Sequence, residues 1–306
     1  MIDIHFLEKQ LVAVGIQGGF RRMYSCDSTN DVLKKLSRSM ILRNSQRHNL
    51  FVKSPSYEDN PEEWGNQAIA PRALPFVLVA DEQTAGRGRQ SNTWWTGSGS
   101  LALSMLLNAK QHGLKPQHSA QLSLAIGYAT MQALRAITEE SFVAAKIETE
   151  NVSGDVPNVM PNIEIRWPND VYVNDCKITG ILIEAPNMHH IIIGIGVNTN
   201  NSAEDAPEEI CDKITTLRDI LGREIDQPRF IYLLCREIME ILNYFPMQIT
   251  QLIEKVEREL FQLGKTVNIL RENEQIMGKC LGLNTDGSLR VLTETGEQAV
   301  VSGVVV

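Results

Sequence analysis

The stretch Ile165–Gly180, I-R-W-P-N-D-V-Y-V-N-D-C-K-I-T-G, decides the fold class of this chain. Asn174 and Asp175 tolerate left-handed backbone geometry and suit a two-residue hairpin turn. With that turn, Val173 faces Cys176, Tyr172 faces Lys177, and Asp170 faces Thr179. The period-two alternation of strands then puts Asp170, Tyr172, Lys177 and Thr179 on one side, and Val171, Val173, Cys176 and Ile178 on the other. One face is apolar and requires a core, while the other gathers an acid and an amine. That pair has two readings at this point: a reactive site, or a solvated surface salt bridge worth ~0–1 kcal/mol.

Working outward, I-E-I-R-W precedes the hairpin, and C-K-I-T-G-I-L-I-E and I-I-I-G-I-G-V-N follow it as further strands. Upstream, Phe76–Ala80 reads as a strand entering a glycine-rich loop at 85–99, and Leu101–Leu107 as the strand that leaves it. Residues 118–138 carry apolar side chains at helical spacing, which predicts a buried helix. Ser28 and Asp31 form a capping-box pattern ahead of Val32, Leu33 and Leu36, which predicts a helix start near Thr29. Phe6, Leu7, Leu11, Val12 and Val14 suggest a short helix before a Gly-Gly break. Residues 214–262 alternate amphipathic helices, with a break at Pro228. From Gly264 the chain changes to short β-runs punctuated by Asp286-Gly287 and Thr295-Gly296, the pattern of a small antiparallel barrel. Polar, proline-rich stretches at about 43–75 and 148–162 read as surface insertions. The expected architecture is α+β: a mixed-sheet catalytic domain over 1–262 and a β-rich domain over 263–306.

Composition narrows the function classes. The net charge is −8 and no Lys/Arg run exceeds a pair, so DNA and RNA are not expected partners. No apolar run approaches the ~18 residues of a membrane span, and the N-terminus lacks the pattern of a signal or transit peptide. Five scattered cysteines, never in C-x-x-C spacing, form neither a disulfide framework nor a zinc site, and suit a reducing compartment. His189-His190 is the one histidine pair, and no protein metal site is expected. A soluble cytoplasmic protein follows.

Three further segments carry candidate chemistry. In D-E-Q-T-A-G-R-G-R-Q-S-N-T-W-W (Asp81–Trp95), Gly86 and Gly88 permit close backbone approach, and Arg87 and Arg89 offer planar forks for carboxylate or phosphate oxygens. The spacing is not that of a P-loop, and G-R-G-R alone also suits a surface loop. Its place after a buried strand and before two tryptophans, one able to stack on a base, favours a site. G-I-G-V-N (194–198) ends a very apolar strand at Asn198, a residue that also forms turns. S-T-N-D (28–31) is explained in full by helix capping.

Together, S-T-N-D, Q-T-A-G-R-G-R, W-P-N-D with a lysine seven residues after the aspartate, and G-I-G-V-N resemble, in that order, the biotin–protein ligases. The resemblance runs from about Tyr24 to Asn198 and continues more loosely through I-T-T-L to the tail. It implies a mixed sheet with helices, like the class II aminoacyl-tRNA synthetases, and an SH3-like C-terminal barrel. It also implies a biotin pocket at Ser28, Thr29, Asn30, Gln83, Gly86, Arg87, Gly88, Lys177 and Gly180. The nucleotide side would comprise Arg89, Trp94, Arg166, Asn169, Asp170, Lys177 and Asn198. Three departures stand out. Many members read G-R-G-R-x-G-R where this chain has G-R-G-R-Q-S-N; many have lysine where Arg166 stands; and the two insertions resemble those of eukaryotic members. About 20 residues precede the resemblance, too few for the DNA-binding domain of the family's repressor members.

The implied reaction forms biotinyl-5′-AMP from biotin and ATP with Mg²⁺, then passes biotin to a lysine of a biotin carboxyl-carrier domain. Lys177, Arg87 and Arg89 would neutralise charge as the carboxylate meets the α-phosphate. Asp170 would orient and deprotonate the acceptor amine, and the loop Arg87–Trp95 would close over the adenylate. A lipoate or octanoate ligase and a non-catalytic biotin-binding regulator are the alternatives. The oligomeric state is not readable from the sequence.

Overall fold

The computed structural model describes residues 4–45, 73–90, 92–149, 160–271 and 274–305. Most of both expected insertions, 46–72 and 150–159, therefore lies outside the described residues. The larger sheet has seven strands: β1 (Phe20–Cys26), β2 (Phe76–Gln83), β3 (Leu101–Asn108), β4 (Ile163–Arg166), β5 (Asp170–Val173), β6 (Cys176–Glu184) and β7 (His190–Val197). Their order is β1-β2-β3-β7-β6-β5-β4. Only β1 and β2 run parallel. A parallel pair needs a crossover, and α2 (Thr29–Ser45) lies on that connection and begins at the residue the capping pattern picked out.

The two faces of this sheet differ in chemistry. On β3, Leu101, Leu103, Met105 and Leu107 point to one side, as do Ile191, Ile193, Ile195 and Val197 on β7. They pack with Leu122, Ile126 and Leu134 of α3 (Ser119–Thr149) and Phe230, Leu234 and Ile238 of α5 (Gln227–Tyr244). Each such fully buried side chain contributes about 1.5–3 kcal/mol. On the opposite side a small cluster joins Leu33 of α2 to Phe76, Leu78, Leu106 and Ile192. Farther along that same side Ile192 gives way to Gly194 and Gly196, and Leu106 to Ser104 and Ala102. Hydrophobic burial is surrendered there and space is left.

Helix α3 extends past the expected 138 to Thr149, α1 spans Ile4–Ala13, and α4 (Leu217–Leu221) and α6 (Ile249–Arg258) complete the set. Pro228 does not interrupt a helix. It sits in the first turn of α5, where its missing N–H costs nothing, behind the N-cap Asp226 that accepts from the Arg229 amide.

The hairpin at Asn174-Asp175 forms with both residues left-handed (φ 48° and 67°), and Val173–Cys176 and Tyr172–Lys177 pair as expected. The Asp170–Thr179 pairing does not. The register shifts between Val171 and Tyr172, so Val171 pairs with Thr179 and Asp170 with Gly180. One extra residue on β6, the signature of a β-bulge, moves Thr179 to the apolar side. There it is fully buried and donates to the Gly196 carbonyl.

The C-terminal part is a second antiparallel sheet of β8 (Thr266–Arg271), β9 (Glu274–Leu283), β10 (Leu289–Thr293), β11 (Gly296–Val300) and β12 (Val304–Val305), ordered β11-β10-β9-β8-β12. Its outer strands β11 and β12 are not paired with each other, so the expected barrel is found as an antiparallel sheet. It is anchored on the larger unit by Trp167 Nε1 donating to the Gly287 carbonyl (3.0 Å) and the Leu283 amide donating to Glu257 (2.6 Å). No helix among the described residues is long and apolar enough to cross a membrane.

Candidate active site

The space left beside the glycines is a cavity of about 290 Å³. Three glycines form its floor, and at each a Cβ would crowd a neighbouring side chain. At Gly196 that atom would fall 2.3 Å from Trp94 Cε2, at Gly194 2.4 Å from Asn30 Oδ1, and at Gly180 3.2 Å from the Trp94 ring. Trp94 therefore lies flat on the sheet across β6 and β7. The Lys177 ammonium stands 5.8 Å from its ring centroid.

Lys177 donates to Asp170 Oδ2 at 2.8 Å, and this partly buried pair lines the cavity. The bulge makes this possible, because it keeps both side chains on the cavity side while sending Thr179 away. Asp170 Oδ1 is buried with no partner, as are Arg87 Nε and Trp94 Nε1. Buried polar atoms are rarely left unpaired, and three of them around one cavity mark a surface built for a polar ligand.

At one end, Arg87 makes two hydrogen bonds to Glu184 (3.2 and 2.7 Å) and an ion pair with Asp31 (2.9 Å). Lys34 and Asn30 also reach Glu184, at 2.7 and 2.8 Å. Burial pushes the Glu184 carboxyl up, but the donors from Arg87, Lys34 and Asn30 outweigh it and hold the group below the usual carboxylate range. Burial likewise lowers the Arg87 guanidinium, and its bonds to Glu184 and the charge of Asp31 reverse that. Beside this cluster Thr29 donates to Gln83 through both its amide and its hydroxyl, and the Ser104 hydroxyl, with one proton to give, lies 2.6 Å from Asn30 Oδ1 and 2.7 Å from Thr29 Oγ1. The S-T-N-D segment is thus both a helix start and a polar wall.

At the other end, Asn169 donates to the Ile181 carbonyl (2.7 Å) and accepts from Arg89 at 3.4 Å. Burial lowers the Arg89 pKa against the opposing charge of Asp170. Arg166 sits over the Tyr172 and Phe261 rings, 4.7 and 5.4 Å from their centroids. Gly303, Val304 and Val305 close this side.

Of the site residues expected from sequence, Ser28, Thr29, Asn30, Gln83, Arg87, Gly88, Arg89, Trp94, Arg166, Asn169, Asp170, Lys177 and Gly180 line this cavity, and Gly86 and Asn198 do not. The close approach at Gly86 is to the Trp94 carbonyl, 2.4 Å from a would-be Cβ, so a glycine here lets the loop pack closely on itself. Asn198 is buried outside the cavity. Its side chain accepts from Asn201 (3.3 Å), and its carbonyl holds the Leu217 amide at the start of α4. Glu184, Gly194, Gly196 and the C-terminal Gly303–Val305 were not singled out in advance, whereas Tyr172 was placed on the candidate face of the hairpin. The alternation of G-I-G along β7 carried the signal for the two glycines, and nothing in the local sequence marked the acid. In the His189-His190 pair, His190 shares a 2.8 Å hydrogen bond with Ser37, and burial lowers its pKa.

Comparisons with known proteins agree with this geometry. Residues 65–198 match the biotin/lipoate A/B protein ligase family, and residues 263–306 match the biotin protein ligase C-terminal domain. The chain belongs to the biotin–protein ligase family. Among curated family members, the bifunctional ligase/repressor BirA of Bacillus spizizenii is 31% identical over 233 residues, 74% of this chain and 64% of that protein. The chain thus spans less than two thirds of that relative. The biotin–[acetyl-CoA-carboxylase] ligase of Mycobacterium tuberculosis is 25% identical, covering 74% of this chain and 75% of its own. Among solved structures, the Aquifex aeolicus biotin protein ligase in complex with biotin and ATP superposes with a TM-score of 0.66 at 29% identity. It covers 94% of this chain and 97% of its own.

Proposed function

We propose that this chain activates biotin with ATP and transfers it to a lysine of a biotin carboxyl-carrier domain. The observation that carries the reading is the Lys177–Asp170 pair at 2.8 Å on a glycine floor, facing a wall of Thr29, Asn30 and Arg87. In the first step a biotin carboxylate oxygen bonds to the α-phosphorus, the bond to the bridging oxygen breaks, and pyrophosphate leaves. Lys177 and Arg89 offset the negative charge that accumulates there. Arg87 is already matched by Glu184 and Asp31, so its part is to hold the polar wall and orient the biotin head.

In the second step the acceptor amine attacks the acyl carbon, the acyl–phosphate bond breaks, and AMP leaves. An alkyl amine has a reference pKa near ~10.4 and must shed a proton; Asp170, with one oxygen free, accepts it. That free, buried oxygen also fits a Mg²⁺ brought in on the nucleotide, which would screen the phosphate charge. Trp94 and its loop cover the mixed anhydride from water.

The tail 263–306 is read as an SH3-like domain separate from the catalytic domain 1–262, with the cytoplasm as the compartment. The test is ATP–pyrophosphate exchange with biotin, lipoate and octanoate compared. Exchange with biotin alone is expected. Exchange with octanoate or lipoate would assign the chain to lipoyl chemistry, and biotin binding without exchange would make it a regulator.

A further inference from the structure

The loop that carries Trp94 ends at Gly99, and hydrogen bonds converge on the carbonyl there. The Gly99 carbonyl accepts from the Asn200 amide (2.9 Å), the Thr199 hydroxyl (2.7 Å) and Gln227 Nε2 (2.7 Å). A carbonyl oxygen has two lone pairs, so this one is fully engaged. Gln227 Nε2 has a second proton, and it reaches Thr199 Oγ1 at 2.8 Å. Gly99, Thr199 and Gln227 therefore close a ring of hydrogen bonds. The backbone is shaped for it: Gly99 is left-handed (φ 89°), and a Cβ there would fall 2.7 Å from the Asn200 carbonyl. The donors belong to different elements. Thr199 and Asn200 follow β7, whereas Gln227 is the first residue of α5, whose Phe230, Leu234 and Ile238 sit in the main core. Helix capping does not account for this side chain, because Asp226 is the N-cap. Gln227 ties the loop to a rigid helix, and it does not line the large cavity.

We infer that Gln227 is a positioning residue for the reaction: through the Gly99 carbonyl it fixes the end of the loop that lays Trp94 on the glycine floor. The segment between the two points has little slack. The Ser100 amide and hydroxyl both turn back onto the Gly97 carbonyl, at 3.0 and 2.8 Å. The Trp95 ring packs over Gly97, 2.5 Å from a would-be Cβ. Nearer the start of the loop, the Trp94 amide is held by the Gly86 carbonyl at 2.9 Å. A shift at Gly99 is thus passed to the indole instead of being absorbed on the way. What the loop covers rests on the proposed adenylation chemistry, whereas the anchor rests on the hydrogen bonds alone. Gln227 bonds Gly99, Ser100 and Thr199 and not the reacting groups. It therefore governs how long the adenylate stays beneath Trp94 more than how fast it forms.

The test uses the full chain and two measurements: amide hydrogen exchange of the free protein, and the dissociation rate of preformed biotinyl-adenylate. Gln227→Met keeps the length of the side chain and removes its donors. Ile238→Val trims the same helix in the core, away from Gly99, and serves as a matched destabilisation. A neutral hydrogen bond is worth about fivefold in an equilibrium. Gln227→Met should therefore speed exchange at the Trp94 and Ser100 amides about fivefold through local opening. Adenylate dissociation should rise by a similar factor, with a smaller change in pyrophosphate exchange at saturating biotin and ATP. Ile238→Val should lower Tm and leave loop exchange and adenylate dissociation at wild-type values. Loop exchange that is unaltered in Gln227→Met, or equally fast in Ile238→Val, overturns the inference. Faster loop exchange with unaltered adenylate dissociation overturns the positioning role. A wild type that does not hold the adenylate removes the ligand reading, and faster loop exchange confined to Gln227→Met then still sustains the anchor.

Discussion

Replacing Glu184 by glutamine keeps the shape of the side chain and removes one charge from a cluster that holds two cations and two anions. Lys34 and Arg87 now face Asp31 and Glu184; in the variant they face Asp31 alone. A fully buried charge left without its partner costs about 3–5 kcal/mol, and an exposed pair is worth ~0–1 kcal/mol. Glu184 is 18% exposed and Arg87 34%, so solvent screening discounts the larger figure heavily. The expected loss is about 1–2 kcal/mol, or roughly 2–8 °C in Tm at ~2–4 °C per kcal/mol. The pH dependence gives the sharper check. The folded carboxyl sits below its ordinary value near 4.5. Its stabilisation is therefore complete above that value and is lost as pH falls through the depressed folded pKa. Thermal unfolding of wild type and variant should differ most at neutral pH and converge on acidification, when a protonated Glu184 resembles the glutamine. Biotin affinity should fall in the variant, since Arg87 loses its bidentate anchor. Equal Tm at pH 7, or a deficit that persists unchanged in acid, would refute a charge-matched cluster and return the group to an ordinary surface network.

Lys177→Ala should reduce biotin-dependent pyrophosphate exchange by two to three decades, the loss of ~3 kcal/mol typical for one preorganised charge contact. Asp170→Asn should impair transfer from preformed biotinyl-adenylate to a carrier domain at least as much as it impairs exchange, and normal transfer would remove Asp170 as the base. Gly196→Ala should cost about 1–3 kcal/mol by overpacking against Trp94, read as a shift in the urea midpoint. The double variant Gly196→Ala/Trp94→Ala should recover part of that loss, and strict additivity would show that the indole does not rest on this strand.

The hairpin at 170–180 was legible because two local rules converge there. Asn174 and Asp175 accept left-handed geometry, and the apolar residues alternate with period two. The same reasoning failed one residue later. A β-bulge at 178–179 leaves no mark in hydrophobic alternation, since Ile178 and Thr179 are both fully buried. Pairing by simple counting therefore put Thr179 opposite Asp170, on the wrong face. Gly86, which does not line the cavity, carries a related ambiguity. A glycine in a loop signals close approach without naming what approaches, and here it is the chain's own Trp94 carbonyl. Asn198 ends its motif outside the cavity, where its side chain meets Asn201 and its carbonyl meets the Leu217 amide.

Glu184 was invisible for a deeper reason. Nothing in I-L-I-E announces a functional acid, and its role exists only because α2, the 85–96 loop and β6 meet at one point. That meeting also explains why S-T-N-D is more than a cap. A helix start needs a polar side chain there, but it does not need Asn30 to accept from a buried serine on β3 while donating to an acid on β6. A capping residue on an ordinary helix could be exchanged among serine, threonine and aspartate at a cost of ~1 kcal/mol or less. Asn30 has less latitude, because its replacement must both donate to Glu184 and accept from Ser104, which an ionised aspartate cannot do. Local helix chemistry therefore fixes where α2 begins, and the cross-strand hydrogen bonds constrain the polar residue in its first turn.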